Sequence, residues 1–236
     1  PTPTAIPDRS LTPTDPQRTA FRQDLLDWYH AHKRSMPWRE TDDPYRIWVS
    51  EIMLQQTRVD TVRDYYHRFL EAFPTVEALA EAERDEVLNH WEGLGFYARA
   101  RHLHEAAQHV VDAHDGTVPH TMDGIKDLKG VGPYTAAAVL SIAYEKPHAV
   151  LDGNVTRVLS RVFALEEDAT TSTAQRQLRE LANDLLASDR PGAFNQAMME
   201  LGALVCTPST PHCDRCPLNK ACRAHDAGTE EDYPIT

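Results

Sequence analysis

Two carboxylates in this chain stand where side chains of their type can do chemistry on a nucleic acid. Glu51 falls at the edge of an apolar helix face, where desolvation raises the pKa of a carboxyl group and favours a general acid. Asp152 stands at the start of a predicted helix, shortly after a glycine-rich turn. Both residues also have structural interpretations, as a surface glutamate and as an ordinary N-cap aspartate. The pattern alone leaves these alternatives open.

The segment 128–134 predicts a turn that feeds a helix. Gly130 and Gly132 permit a positive φ and a close approach of the backbone to a ligand. The N–H groups at a helix start, together with the helix dipole, form an anion site. Gly130, Val131 and Gly132 are therefore candidates for binding DNA phosphates. A phosphate site close to the Asp152 carboxylate suggests an enzyme that acts on nucleic acid.

Composition limits these interpretations. The 236 residues fit one large domain or two small lobes, and the net charge is −12. An acidic balance opposes a simple nucleic-acid binder, but most of the basic residues are arginines, which suit bidentate phosphate contacts. The acidic surface is either an adaptation to high salt or an ordinary one. The absence of a long apolar run and of a signal peptide predicts a cytoplasmic protein without a membrane partner.

All four cysteines lie close together near the end of the sequence. They are Cys206, Cys213, Cys216 and Cys222. In a reducing compartment, a metal site is a better interpretation than a pair of disulfides. Four thiolates suit either zinc or an iron–sulfur cube, and the spacing alone leaves zinc as a serious rival.

The elements that must position these groups are helices throughout. Asp15 and Asp43 each precede a proline and predict N-caps, and amphipathic periodicity indicates further helices along the chain. Nothing reads as a sheet, so the predicted fold class is all-α. Residues 1–14 carry four prolines and are predicted to form a flexible tail.

Three loops could face a nucleic acid. Trp38 and Arg39 could contact a base, or belong to the core and the solvated face. The polar side chains of 55–57 could read base edges, or simply end a helix. The apolar turn 93–97 could be a wedge between bases, or pack down as core, and Arg99 at its foot could hold a phosphate.

Taken together, these segments resemble the helix-hairpin-helix DNA glycosylases, and among them the MutY family of adenine glycosylases. The similarity extends from about residue 17 to 223. The matching stretches are 36–39, 49–57, 93–101, 130–135, 151–159 and 192–196. The spacing of the four cysteines matches the family's [4Fe–4S] loop. The resemblance therefore implies a [4Fe–4S] cofactor and a monomer whose partner is double-stranded DNA with a mispaired adenine.

The resemblance also implies a domain organisation. Two helical lobes would flank a cleft in which kinked DNA lies with one base flipped out. One lobe, 38–146, would be a six-helix barrel with the helix-hairpin-helix. The other would join 15–37 to 147–223 and carry the iron–sulfur loop. Residues 224–236 would form a flexible tail or the start of a missing C-terminal domain, because MutY proteins usually continue into a Nudix-like domain that recognises 8-oxoguanine.

Catalytic roles follow from the same resemblance. Glu51 would protonate N7 of adenine, and Asp152 would stabilise the cationic sugar electrostatically or through a transient covalent bond. Asn154 would orient Asp152 or the attacking water. Tyr134 stands where the bifunctional lyases of the family carry a nucleophilic lysine, so base removal without strand cleavage is expected.

The resemblance implies the remaining contacts as well. The adenine pocket would be lined by Trp38, Arg39 and Gln196. The opposite 8-oxoguanine would be addressed by Gln56, Thr57 and Leu94. Phe96 would be the intercalating wedge, at a position where the family usually has tyrosine.

The predicted activity is that of a monofunctional DNA glycosylase, a hydrolase that removes adenine mispaired with 8-oxoguanine or guanine in base excision repair. One alternative is a thymine glycosylase on T:G mismatches, because related glycosylases share the arrangement of Tyr134 and Asp152. The other is a non-catalytic, cluster-bearing DNA-binding module. Residues 55–57 favour adenine, and the presence of Glu51 together with Asp152 favours catalysis.

Overall fold

The computed structural model describes residues 11–236, and within that range the regular structure is helical with no strand. The all-α prediction is confirmed. The helices are α1 (Asp15–His32), α2 (Pro44–Leu54), α3 (Val59–Ala72), α4 (Val76–Glu81), α5 (Arg84–Trp91), α6 (Ala98–His114), α7 (Met122–Lys126), α8 (Pro133–Tyr144), α9 (Gly153–Phe163), α10 (Ser172–Leu185), α11 (Pro191–Leu204) and α12 (Arg223–Ala227). None of these helices is long and apolar enough to cross a membrane.

The chain divides into two compact units. The first is Arg34–His148, with α2 to α8, and the second joins Pro1–Lys33 to Ala149–Thr236, with α1 and α9 to α12. These junctions lie a few residues from the ones expected from the sequence. Residues 1–10 of the expected flexible tail lie outside the described residues.

In the unit Arg34–His148, α2 lies in the core and packs against α3 and α8. The Asp43 side chain accepts hydrogen bonds from the N–H groups of Tyr45 and Arg46 and caps α2 as expected. The rings of Phe69 and Trp91 pack edge to face, 5.8 Å apart, in the same core. The helix that carries Glu51 is therefore held on several sides.

The hairpin between α7 and α8 begins with a short helix. α7 has five residues, too few to show periodicity, and is capped by the Thr121 hydroxyl. Of the two glycines in the hairpin turn, only Gly130 has a positive φ, of 80°, and a Cβ there would lie 2.8 Å from Cβ of His102. Gly132 is the N-cap of α8, with an ordinary φ of −90°.

In the second unit, α1 and α9 both pack against α11. Thr14, not the expected Asp15, is the N-cap of α1, because its N–H donates to Oε1 of Gln17 at 2.8 Å in a capping box. In the sequence Thr14-Asp15-Pro16, two successive residues are of types that cap helices, so the sequence alone does not show which one is the N-cap.

Residues 224–236, expected to form a flexible tail or the start of a further domain, are attached to the rest of the second unit by hydrogen bonds. The Ile235 carbonyl accepts a hydrogen bond from the Ala169 N–H at 2.8 Å. The Tyr233 carbonyl accepts one from Nε of Arg161 at 3.0 Å. These backbone carbonyls attach the segment through atoms that every residue type carries, which is why its composition did not reveal the attachment.

Candidate active site

Glu51 and Tyr134 meet inside the unit Arg34–His148. Glu51 lies on the buried side of α2 with 6% of its surface exposed, and Tyr134 lies in the first turn of α8. The Tyr134 hydroxyl donates a hydrogen bond to Oε2 of Glu51 at 3.0 Å. Burial disfavours the charged form of a carboxyl group, whereas a hydrogen bond donated to the carboxylate stabilises that form. Such a carboxyl can hold a proton and also be stabilised after releasing it.

Asp152 and Asn154 form the start of α9 in the second unit. Asp152 is the N-cap, and its Oδ1 accepts from the Val155 N–H at 2.7 Å. Its Oδ2 accepts from Nδ2 of Asn154 at 3.0 Å. The N-cap interpretation is therefore confirmed, and the carboxylate is oriented by two donors, one on each oxygen.

Arg157, one helical turn further along α9, fixes Asn154 in turn. Its Nη2 donates to Oδ1 of Asn154 and to the Gly202 carbonyl, both at 2.8 Å. Its Nε donates to the Cys206 carbonyl at 2.7 Å. Burial lowers the pKa of this guanidinium, and five donors in a rigid fork suit such a set of acceptors. Sequence reasoning missed Arg157, because three of its four partners are backbone carbonyls.

The residues expected in the adenine pocket lie on different elements. Trp38 is buried, and its ring packs edge to face on Tyr66 at 5.4 Å, which favours the core interpretation of this tryptophan. Arg39 donates from Nη1 to the Arg34 carbonyl at 3.1 Å. Gln196 lies on α11 and accepts at Oε1 from the Tyr29 hydroxyl at 3.2 Å.

The residues expected to contact the opposite base and the DNA stack separate into exposed and buried ones. Gln56 is exposed, and Phe96 has 62% of its surface exposed, as expected of a wedge. Leu94 is buried, so its side chain belongs to the core and not to a DNA-reading surface. Thr57 is half-buried. Arg99, expected to hold a phosphate, instead directs its guanidinium into the protein, onto backbone carbonyls.

The hairpin offers fewer backbone donors than the sequence indicated. The Val131 N–H donates to the Leu128 carbonyl at 3.1 Å, and the Val131 side chain is buried. This amide is already engaged, which corrects its assignment as a phosphate donor. Gly132 has open space where a Cβ would stand, so a ligand can approach its backbone closely.

The four cysteines line one cavity in the second unit, together with apolar side chains of α9 and α11. All four are free thiols. Burial raises the pKa of Cys213 to about 11 and that of Cys216 to about 12. Nη1 of Arg161 lies 3.4 Å from Sγ of Cys206. Thiolates in this cavity therefore need cations beside them.

A second set of ligand types lies in the same cavity. Among the described residues, the ligand atoms of Cys213, His225 and Glu230 lie within 4.8 Å of one another. Thiolate, imidazole and carboxylate groups are all zinc ligands. The cavity therefore offers donors for either zinc or an iron–sulfur cluster.

Comparison with known proteins identifies the family. The model of the HhH-GPD superfamily of base excision DNA repair proteins matches residues 49–184, more than half of the chain. The chain belongs to the HhH-GPD superfamily. The matched range includes both carboxylates, Tyr134 and the hairpin between α7 and α8.

Curated HhH-GPD relatives are similar along most of this chain. The adenine DNA glycosylase of Rattus norvegicus is 50% identical over 216 residues, which cover 88% of this chain and 42% of the rat protein. That of Schizosaccharomyces pombe is 45% identical over 225 residues, covering 87% of this chain and 49% of its own. The chain therefore spans less than half the length of these two relatives.

Solved structures share the HhH-GPD architecture. A thermostable thymine-DNA glycosylase superposes with a TM-score of 0.82 at 32% identity, covering 89% of this chain and 97% of its own. An endonuclease III trapped in a covalent DNA intermediate superposes with a TM-score of 0.73 at 21% identity. At that identity the second comparison supports the fold alone.

Proposed function

We propose that this chain is the catalytic part of a monofunctional adenine DNA glycosylase that acts, as a monomer, on adenine mispaired with 8-oxoguanine or guanine. The observation that carries the proposal is the buried Glu51 carboxyl with the Tyr134 hydroxyl on it. The relatives that share 45–50% identity are named adenine DNA glycosylase. Double-stranded DNA is the substrate in this proposal, with the adenine flipped out of the stack.

Glu51 would act first, as the general acid. Adenine leaves with the electron pair of the C1′–N9 bond, and a proton delivered to N7 makes that departure possible at neutral pH. Tyr134 would then stabilise the resulting carboxylate through the hydrogen bond that it already donates at 3.0 Å. A phenol in place of an amine cannot form a Schiff base with C1′, which supports hydrolysis without strand cleavage.

Asp152 would act on the sugar. As the glycosidic bond breaks, positive charge develops on C1′ and the ring oxygen, and an oriented carboxylate stabilises it electrostatically or by a transient bond. Asn154 would hold this carboxylate, or the water, in place through its amide. The water oxygen then bonds to C1′ and gives up one proton to a carboxylate, which completes the hydrolysis.

The remaining roles concern the recognition of DNA. Phe96 is exposed enough to insert into the base stack, and Gln56 and Thr57 would address the base opposite the adenine. Gly130 and Gly132 remain candidates for phosphate contacts beside α8. The adenine contacts expected of Trp38, Arg39 and Gln196 stay predictions.

A [4Fe–4S] cluster fits the four cysteines in this proposal. Cys206, Cys213, Cys216 and Cys222 would be its ligands, because all four line one cavity and thiolates are the ligands that hold such clusters. The cluster would cross-link the loop covalently and supply the cations that buried thiolates require. The test is absorbance of purified protein, because a broad band near ~400 nm indicates iron–sulfur and a colourless zinc-loaded protein excludes it.

A thymine glycosylase remains the second candidate, because the solved thymine-DNA glycosylase matches the chain over 97% of its own length. The identity of 32%, against 45–50% for the adenine enzymes, favours adenine.

Single-turnover base release from A:8-oxoguanine, A:G and T:G duplexes separates the two activities. We expect release from the two adenine duplexes, and release from T:G alone would overturn the proposal.

Glu51→Gln should slow release by about 10²–10⁴-fold, the usual contribution of a general acid. Glu71→Gln, on the exposed face of α3, is the matched control and should leave the rate unchanged. Release by Glu51→Gln at the wild-type rate would exclude Glu51 as the acid.

A further inference from the structure

The guanidinium of Arg99 lies between two segments of the unit Arg34–His148 and binds both. From the end of α2, the carbonyls of Ile52 and Met53 accept from Nη1 at 3.0 and 2.9 Å, and the Gln55 carbonyl accepts from the same atom. From the turn before α6, the carbonyls of Leu94 and Gly95 accept from Nη2 at 3.1 and 3.2 Å. The Thr57 hydroxyl accepts from Nη2 at 3.2 Å.

The first group of contacts caps α2. The last carbonyls of a helix have no intrahelical partner, and a cation at that end also complements the helix dipole. Arg99 reaches these carbonyls from the first turn of α6. The end of the helix that carries Glu51 is therefore fixed by a side chain from another element.

The second feature is the backbone conformation on both sides of this guanidinium. Gln56 and Phe96 have positive φ angles of 57° and 47°, which cost energy for residues with a side chain. The peptide planes that precede them carry the Gln55 and Gly95 carbonyls, both bound by Arg99. Because rotation of such a plane changes φ of the following residue, one guanidinium restrains both unfavourable angles.

The indole of Trp91 reinforces the second plane. Its Nε1 donates to the Gly95 carbonyl at 3.1 Å, and the Arg99 guanidinium lies 5.4 Å from the centre of the Trp91 ring. The Gly95 carbonyl in the turn 93–97 is thus bound by two donors, and the next residue, Phe96, projects into solvent.

We propose that Arg99 is a positioning residue that holds Gln56 and Phe96 in a fixed relative arrangement, so that contact with the opposite base and insertion of the wedge occur together. The inference rests on the proposed function for the DNA-contacting roles of these two side chains. Arginine is required because its planar fork reaches six acceptors on two segments, whereas a lysine ammonium donates from a single point.

Arg99→Lys tests the proposal, with Arg68→Lys on the exposed face of α3 as the matched control. The first measurement, hydrogen exchange of the free protein, does not depend on activity. We expect Arg99→Lys to speed exchange at least tenfold in both 55–58 and 93–97, and Arg68→Lys to leave both segments unchanged. Faster exchange in neither segment, or in only one, would overturn the proposal.

The second measurement uses binding to duplexes with a fluorescent adenine analogue beside the mispair. Gln56→Ala should lower only the preference for A:8-oxoguanine over A:T, and Phe96→Ala should lower only the unstacking signal. Arg99→Lys should lower both, by about tenfold. A variant that lowers the affinity for all duplexes equally and keeps both signals would contradict coupled positioning.

A third measurement covers the case in which Arg99→Lys does not fold alone. Glycine adopts a positive φ without strain, so the strain that Arg99→Lys releases in the wild type is absent from a Gln56→Gly/Phe96→Gly background. Arg99→Lys should therefore destabilise that background at least as much as it destabilises the wild type, and a smaller destabilisation there would overturn the proposal. If wild-type protein released no base from any duplex, the proposed function would fail, whereas the exchange and stability results would still decide the role of Arg99.

Discussion

Arg157 connects the Asn154 side chain to the first residue of the cysteine loop 206–222: Nη2 donates to Oδ1 of Asn154 at 2.8 Å, and Nε donates to the Cys206 carbonyl at 2.7 Å. Asn154 in turn donates to Asp152 at 3.0 Å. Three hydrogen bonds in series thus run from the Cys206 backbone to the carboxylate proposed to stabilise the sugar cation. The orientation of Asp152 is therefore linked to the geometry of the cysteine loop.

Replacement of Arg157 by methionine should reduce base release without unfolding the protein. A hydrogen bond to a charged donor contributes about 1.5–3 kcal/mol, so single-turnover release should fall roughly ten- to hundredfold. Arg179→Met, on the exposed face of α10, is the control and should have no effect. If Arg157→Met released adenine at the wild-type rate, Asn154 would not need this support.

Asp152 has two separable roles, helix capping and charge. Asparagine caps a helix about as well as aspartate does, whereas alanine costs about 1 kcal/mol. Asp152→Asn should therefore retain the free energy of unfolding but lose about 10²–10³-fold in base release, the magnitude of one lost electrostatic contact to the transition state. Asp152→Ala should lose both. Chemical denaturation and single-turnover rates on the same samples distinguish the roles, and an active Asp152→Asn would exclude the electrostatic one.

Gly202 leaves no room for a side chain beside Asn154. A Cβ at this position would lie 2.6 Å from Cβ of Asn154 and 3.0 Å from its Cα. Gly202→Ala should therefore displace Asn154, cost about 1–3 kcal/mol of stability through overpacking, and slow base release. Gly153→Ala is the control for stability, because its Cβ would meet nothing within 4 Å. An unchanged free energy of unfolding in Gly202→Ala would show that α9 and α11 can move apart at little energetic cost.

The sequence was most informative where local chemistry determines structure. Asp43 before Pro44 correctly predicted the start of α2, since an N-cap depends on neighbours only. Apolar periodicity likewise predicted the long helices and the buried face of α2. The five-residue α7 was not predicted because a helix of about one and a half turns is too short for an apolar pattern to repeat.

The arginines show where sequence reasoning fails. Arg99 follows an apolar turn, where its sequence position allows a phosphate contact, but its guanidinium caps α2. No role is predicted from the sequence for Arg157 or Arg161, although both bind backbone carbonyls of the cysteine loop. Their acceptors are mostly carbonyls, which every residue carries, so only the fold reveals where several of them converge.

Loss of the metal should affect the cysteine loop first and the helices of the second unit much less. Arg161 is 1% exposed, and it donates to the carbonyls of Thr207, Pro208 and Tyr233 at 2.6, 2.9 and 3.0 Å. These contacts join the start of the loop and the segment 224–236 to α9 without any metal. Cys216→Ser should therefore abolish the absorbance near ~400 nm and expose 206–222 to protease, while far-UV circular dichroism changes little.

Arg161→Met gives the complementary result. It retains all four cysteines but leaves buried carbonyls without their donor, at a cost of about 1–3 kcal/mol for each unsatisfied group. We expect the absorbance of the loaded protein to persist at first and to decay faster under a chelator, because the loop opens more often. Arg215→Met, on an exposed residue of the loop, should decay at the wild-type rate. Decay of Arg161→Met at that same rate would show that the cluster alone holds the loop closed.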